Sequence, residues 1–356
     1  LHLCDRRQRQ MCIRDRGSSN AWTSVDITNY YETLPAQNVE TAFWLESDRL
    51  RYLNLTDESI DTQKSVVIEE FKQRCLNVPY GDLYHFCNDL AYKVHPYRWP
   101  TIGLSVDDIK NASHEDIKSF FAQHYAVNNL ILCVSGHIEF EKAVALTEKW
   151  FGDFAPANIP VRNLPQEPVQ TEQRFMSVKR EVPQNVLTMM YHMCGRCDDD
   201  YQVCDMLSDV LSNGMSSRFY RNVLVKSGLF TELDASVSGT YDPGLFIVRA
   251  RLADGVSFDK AKDAIDAELA DFVRNGATAY EIEKCANKYE STRLFDMITY
   301  EKKGVKLCQY ELLGDAADIN KEVGKYRCIT QDRLMNVAKN LLNPDNCSIL
   351  YYGPDA

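Results

Sequence analysis

SHEDIKSFFAQHYAVNNLILCVSG, residues 113–136, aligns without a gap on TQDRLMNVAKNLLNPDNCSILYYG, residues 330–353. Each stretch opens on a hydroxyl residue, Ser113 or Thr330, of the kind that accepts a hydrogen bond from the first turn of a helix. Apolar residues at three- and four-residue spacing follow, then Asn128-Asn129 or Asp345-Asn346, then an apolar strand-like run closed by Gly136 or Gly353. Two copies of one α/β unit, one in each half of the chain, are the simplest reading; a chance match of two helix–strand units is the alternative.

Working outward, the stretch between the copies that contains Pro156, Pro160, Pro165 and Pro168 suits extended linker better than helix or central strand. It divides the chain into a segment 17–155, a linker 156–170 and a segment 171–356. Upstream, Ala21 to Leu34 alternates like a hairpin or one long strand, and helical spacing runs over Val39 to Leu53, Ile60 to Phe71, Asp116 to Tyr125 and Phe140 to Trp150, with a strand expected at Asn129 to Ser135. Downstream, strands are expected near Arg174 to Lys179, Val186 to His192, Thr231 to Ser238 and Gly244 to Leu252. Helices are expected near Asp200 to Ser212 and Ser217 to Val225, and over most of Phe258 to Leu342.

Composition narrows the function. The 356 residues are 45% hydrophobic and carry a net charge of −11, enough apolar side chain for a full core and the wrong sign for a nucleic-acid partner. No run approaches the roughly 18 apolar residues of a membrane span. Twelve cysteines spread along a long chain suit reduced thiols better than a disulfide framework.

Residues 1–16, LHLCDRRQRQMCIRDR, break the pattern: five arginines, no periodicity, and neither the apolar centre of a secretory signal nor the acid-poor composition of a transit peptide. Met11 to Arg16, back-translated as ATG TGT ATA AGA GAC AG, resembles the end of a transposon sequencing adaptor. Residues 1–16 are therefore expected to be non-native, and a clean assembly of the gene is expected to carry a different sequence before Gly17.

Several segments occur in the order of one family: SSNAWTSVDITNYYETLP, AFWLESDRL, QKSVVIEEFKQR, HPYRWPTIG and EKWFGDF, then GMSSRFYRNV and DPGLF. From Gly17 to the C-terminus the chain resembles the M16 (pitrilysin/insulinase) metallopeptidases, whose subunits resemble mitochondrial processing peptidase. The resemblance implies an α+β fold of two homologous α/β sandwich domains facing each other across a chamber. It also implies a zinc held by both histidines of a His-x-x-Glu-His motif and by a distant glutamate, which maps to Glu70. Three protein ligands of N and O type with an open fourth position suit catalytic zinc. Gln63, two helical turns before Glu70 and on the same face, would stand behind it as a hydrogen-bonding neighbour. Read alone, Glu69-Glu70 is a solvated acidic pair.

None of His2, His85, His95, His114, His124, His137 and His192 sits in His-x-x-Glu-His. The general-base glutamate of that motif is absent with them, so no catalytic residue is assigned and this chain is expected to be inactive. Asn20, Ala21, Trp22 and Thr23 match the family's edge strand, where an extended peptide is held by main-chain hydrogen bonds; in isolation they are a strand start. His192, Cys194, Cys197 and Cys204 could bind metal or cycle as thiols, or be incidental. Tyr92, His95, Tyr97 and Trp99 could line a peptide wall or be packing, and Arg218 is expected to support the second domain.

The resemblance thus implies a zinc endopeptidase for peptides or unfolded protein, of which this chain lacks the motif. The alternatives are a non-catalytic subunit, pairing as a homo- or heterodimer with another M16 subunit, and a structural assembly subunit of the same fold.

Overall fold

The computed structural model describes residues 17–356, and the expected adaptor-derived segment 1–16 lies outside them. Two compact units interleave along the sequence. The first comprises the described residues through Lys72 with Thr101–Asn163 and Leu294–Ile319; the second comprises Gln73–Pro100, Leu164–Arg293 and Asn320–Ala356. The chain runs through strands β1 (Ser18–Thr23) and β2 (Thr28–Thr33), then helices α1 (Val39–Tyr52), α2 (Asp57–Phe71), α3 (Leu83–Ala91), α4 (Val106–Asn111), α5 (His114–His124) and α6 (Phe140–Phe151). Beyond the linker come β3 (Arg174–Lys179), β4 (Val186–His192), α7 (Tyr201–Ser212), β5 (Phe230–Val237) and β6 (Leu245–Leu252). Then follow α8 (Phe258–Asn275), α9 (Ala279–Asp296), α10 (Tyr300–Leu313), α11 (Glu322–Arg327), α12 (Gln331–Leu341) and β7 (Cys347–Gly353).

In the first unit, β1 and β2 pair antiparallel, with Asn20 opposite Tyr31 and Trp22 opposite Asn29. Ser24 closes the turn, its hydroxyl accepting the N–H groups of Asp26 and Ile27 at 3.2 Å each. Helix α1 buries Phe43 against Leu146 and Phe151 of α6, and α10 packs against β2.

The second unit is built on a five-stranded sheet in the order β3-β7-β4-β6-β5, with β3 parallel to β7 and the other neighbours antiparallel. Strand β4 is covered on both faces, which explains why it is apolar at nearly every position, with Thr188 the buried exception. Val186 and Met190 join Leu83, Cys87 and Leu90 of α3 on one face. Leu187, Met189 and Tyr191 point the other way, into a core shared with α7, α8 and α12.

Both copies of the repeat form the expected helix. Ser113 caps α5 reciprocally with Asp116, and Thr330 caps α12 by accepting the Arg333 N–H; a 3₁₀ turn follows each, at Val127–Asn129 and Pro344–Asn346. The copies then diverge. Cys347–Gly353 becomes β7 between β3 and β4, whereas the strand expected at Asn129 to Ser135 has no ladder among the described residues. Leu130, Ile131, Leu132 and Val134 stay 36–41% exposed there. An apolar run becomes a strand only where neighbouring backbones supply hydrogen-bond partners.

Arg218 does support the second unit. Its guanidinium lies 4.8 Å over the Phe272 ring, donates to both carboxylate oxygens of Glu281 at 2.8 and 3.0 Å, and donates to the Gly276 carbonyl at 2.6 Å. Gly276 ends α8 at φ +72°, a conformation that a side chain disfavours. Burial raises the Glu281 carboxyl, but the bonds from Arg218 and Thr278 outweigh it and hold the group at about 2. Its contribution is therefore complete above the ordinary carboxylate range and is lost as pH falls toward 2. Glu281→Gln is expected to cost roughly 2 kcal/mol at pH 7. Denaturant titrations of both proteins should show that difference shrinking below pH 4.5; a constant difference would mean that the charge on Glu281 is not what stabilises.

Candidate functional site

Helix α2 carries Gln63 and Glu70, and its orientation is set by the polar side chains of another face. Thr56 caps it by accepting the Ser59 N–H. Lys64 donates to the carbonyls of Lys110 and Ala112, both at 2.7 Å; Asp61 meets His114 Nε2 at 2.7 Å, and Asp57 accepts from Lys118 at 2.7 Å. These bonds fix one side of α2 on α4 and α5. Gln63 and Glu70 lie about a third of a turn around from it by the helical repeat. The acidic pair is asymmetric: Glu69 is exposed and salt-bridged to Lys72 at 2.7 Å, while Glu70 is half-buried, as is Gln63.

Asn20, Ala21, Trp22 and Thr23 share β1. Asn20 and Thr23 are exposed, Ala21 and Trp22 half-buried, and the Asn20 amide oxygen accepts the Ala21 N–H at 2.9 Å. Among the described residues β1 pairs with β2 alone, which leaves one edge able to take an extended chain. The structure thus gathers these four on one strand and Gln63 with Glu70 on one helix, as two groups on separate elements of the same unit.

Sequence reading assigned no role to Glu32, Glu46 and Arg49, which meet behind the hairpin. Arg49 is buried, lies 4.5 Å over the Tyr30 ring and donates to Glu46 at 3.0 Å; Tyr30 reaches the Tyr125 hydroxyl at 3.1 Å. Burial pushes the Glu32 carboxyl up to about 8, assisted by the charge of Glu46 and a hydrogen bond shared with it, against the pull of Arg49. The spacing Glu46-x-x-Arg49 on a helix was the available signal; its convergence with Glu32 was not readable locally.

The other candidates resolve into packing. Tyr92, His95 and Tyr97 are buried. His95 and Tyr97 stack edge-on at 4.2 Å, His95 Nε2 meets Asp242 at 3.2 Å, and the Tyr97 hydroxyl accepts the Asp242 N–H at 3.0 Å; Trp99 is exposed. Glu167 accepts the successive N–H groups of Lys93, Val94 and His95 at 2.7–3.0 Å. Burial raises its carboxyl, and those three bonds outweigh it to leave a net lowering. His192 Nε2 donates to the Ala91 carbonyl at 3.0 Å, Cys197 is exposed, and Cys204 is buried. Among the described residues no three His, Cys, Asp or Glu side chains gather as a metal would require. Glu70 by itself does not fit a zinc centre.

A protein-family model described as "Peptidase M16 inactive domain" matches residues 111–289. The chain belongs to the M16 peptidase family. It is similar to the zinc protease PqqE of Helicobacter pylori, 29% identical over 273 residues that cover 75% of this chain and 61% of that protein. It is also similar to the uncharacterized zinc protease YmxG of Bacillus subtilis, 21% identical over 92% of this chain and 79% of that one. The M16 chain thus spans about 61% of the length of its Helicobacter relative. A solved protease from Helicobacter pylori shares the fold at a TM-score of 0.93 and 24% identity, covering 99% of this chain and 85% of that one. A Pseudomonas fluorescens M16 inactive domain shares it at 0.83 and 17%, covering 98% and 83%. These likenesses establish the α+β, two-domain M16 fold. No described helix is long and apolar enough to cross a membrane.

The carboxyl pair behind the hairpin has a measurable consequence. Glu32 is neutral in the fold over a range where an unfolded glutamate is ionised, so stability falls as pH rises from about 4.5 toward 8. Glu32→Gln imitates the neutral form and is expected to be more stable than the natural chain at pH 8, by on the order of 1–3 kcal/mol, with the advantage shrinking by pH 5. Urea unfolding at the two pH values measures this; a variant less stable at pH 8 would refute it.

Proposed function

We propose that this M16 chain derives from a zinc-dependent metalloendopeptidase and that its 356 residues are catalytically silent by themselves. The observation that carries this is Glu70: half-buried on a helix anchored by Lys64, His114 and Lys118, in a chain whose seven histidines include no His-x-x-Glu-His. The zinc-protease names of relatives support the same reading. Zinc, when bound by an intact M16 site, supplies an activated water. The chain's own residues are assigned other work. The open edge of β1 at Asn20–Thr23 holds an extended peptide or unfolded segment through main-chain hydrogen bonds, Glu70 offers one carboxylate ligand, and Gln63 steadies it. We further propose that 17–155 and 171–356 are the two homologous domains, joined by 156–170.

The second reading, a non-catalytic subunit that binds peptide or supports an active M16 partner, is favoured by the β1 edge, which needs no metal to pair with a peptide.

Quenched fluorescent peptides separate the readings. The chain alone is expected to show no chelator-sensitive cleavage and to retain no stoichiometric zinc after dialysis. Joined to an upstream M16 segment bearing His-x-x-Glu-His, it is expected to cleave and to stop on chelation. Glu70→Gln should then lower the rate on the order of 10²-fold or more and Gln63→Ala about 10–100-fold. Chelator-sensitive cleavage by the unextended chain would sink the first proposal; a zinc-loaded extended chain that leaves every peptide intact would transfer the assignment to the partner subunit.

A further inference from the structure

Cys133 and Cys308 meet within the first unit. Cys308 stands one turn after Gly304 on α10, so the two positions share a face. A Cβ built on Gly304 falls 3.7 Å from the Cys133 sulfur and 3.8 Å from Ser135 Cβ, so the glycine lets the 133–135 segment lie against the helix. The two thiols lie near enough to shift each other's titration, and both are unbridged and half-buried, within reach of a small reagent. The segment carries no ladder among the described residues, so no strand register opposes the short approach from thiol contact to bonding distance.

We propose that Cys133 and Cys308 are a reversible dithiol–disulfide site that fastens the 130–136 segment to α10, oxidised by exchange with a small-molecule disulfide such as oxidised glutathione. The Cys133 thiolate attacks one sulfur of that disulfide, forming a mixed disulfide and expelling one glutathione thiolate. Cys308, its proton released to solvent, then attacks the Cys133 sulfur and expels the second glutathione. The protein loses two electrons and two protons, and one glutathione disulfide becomes two thiols. The neighbouring Cys308 thiol lowers the Cys133 thiol against the opposing effect of burial and is itself pushed up by the same contact, which favours Cys133 as the attacking sulfur and Cys308 as the resolving one. Because α10 also packs against β2, oxidation would stiffen the support of the hairpin.

Cys194 and Cys204 likewise lie near enough to shift each other's titration, but Cys204 is 2% exposed, and the test must tell the pairs apart. The full chain is equilibrated in reduced and oxidised glutathione, alkylated in acid and digested for mass spectrometry, with thermal melts in parallel. The expected product is a peptide pair joining Cys133 to Cys308, two hydrogens lighter and reversed by dithiothreitol. It should be accompanied by a melting temperature raised by about 5 °C or more, because the cross-link closes a long loop. Cys308→Ser should leave a glutathione adduct on Cys133 and abolish the rise; Cys194→Ser should leave both intact. Glutathione adducts without the cross-link in the natural chain, or a rise that survives Cys308→Ser and vanishes in Cys194→Ser, would overturn the proposal.

Discussion

Backbone amide and carbonyl groups must find partners when they leave water, and the pairing of strands decides how each unit of this chain is built. In the second unit β4 and β7 are flanked on both sides, and helices on both faces exclude water from the sheet. Every alternate side chain then has somewhere to go, which is why β4 tolerates an apolar residue at nearly every position. In the first unit the described ladder stops at two strands, a size at which hairpins are marginal without packing. The support comes to β2 both from α10 and from the Tyr30–Arg49–Glu46 contacts.

Charge is handled in opposite ways in the two units. Around Glu281 the bidentate hydrogen bonds of Arg218 overcome the cost of burial, and the carboxyl stays ionised. Around Glu32 an arginine is also near, yet it donates to Glu46 instead, so burial and the second carboxylate prevail and the group is kept neutral. An acid that receives the arginine's bidentate bonds stays ionised; an acid passed over by the arginine and set beside a second carboxylate keeps a proton. The first arrangement locks a helix end to a loop. The second puts a titrating group on β2 itself, the strand partner of β1.

Much of this was legible in the residues. Periodicity located α1, α2, α5, α6 and α7 and the β3, β4, β5 and β6 strands within a few residues, because amphipathic spacing is a local property; it left the N-terminal segment as a hairpin or a long strand and missed α3 and α4. The repeat was legible too, down to the hydroxyl caps and the Asn-bearing turns. What failed was the strand at 129–135: LILCVS has the composition of a strand, like its counterpart CSILYYG, and only the neighbours differ. The same limit hid the meeting of Glu32 with Glu46, and the placement of α3 on a sheet assembled from strands beyond residue 173. No window of local sequence contains both sides of such contacts.

The candidate site obeys the same logic. A carboxylate such as Glu70 has little hold on a metal by itself, since catalytic zinc draws its affinity from three ligands acting together. The helix beneath it is nevertheless held in place by four polar contacts that involve no metal and lie on another face. That separation matters physically: if Glu70 serves as the proposed ligand, its helix needs no further ordering, because it is already anchored. The β1 edge is likewise shaped by its ladder with β2 and not by zinc. Under the proposed function, peptide holding at the β1 edge and metal holding at Glu70 are therefore separable, since neither element depends on the other for its position.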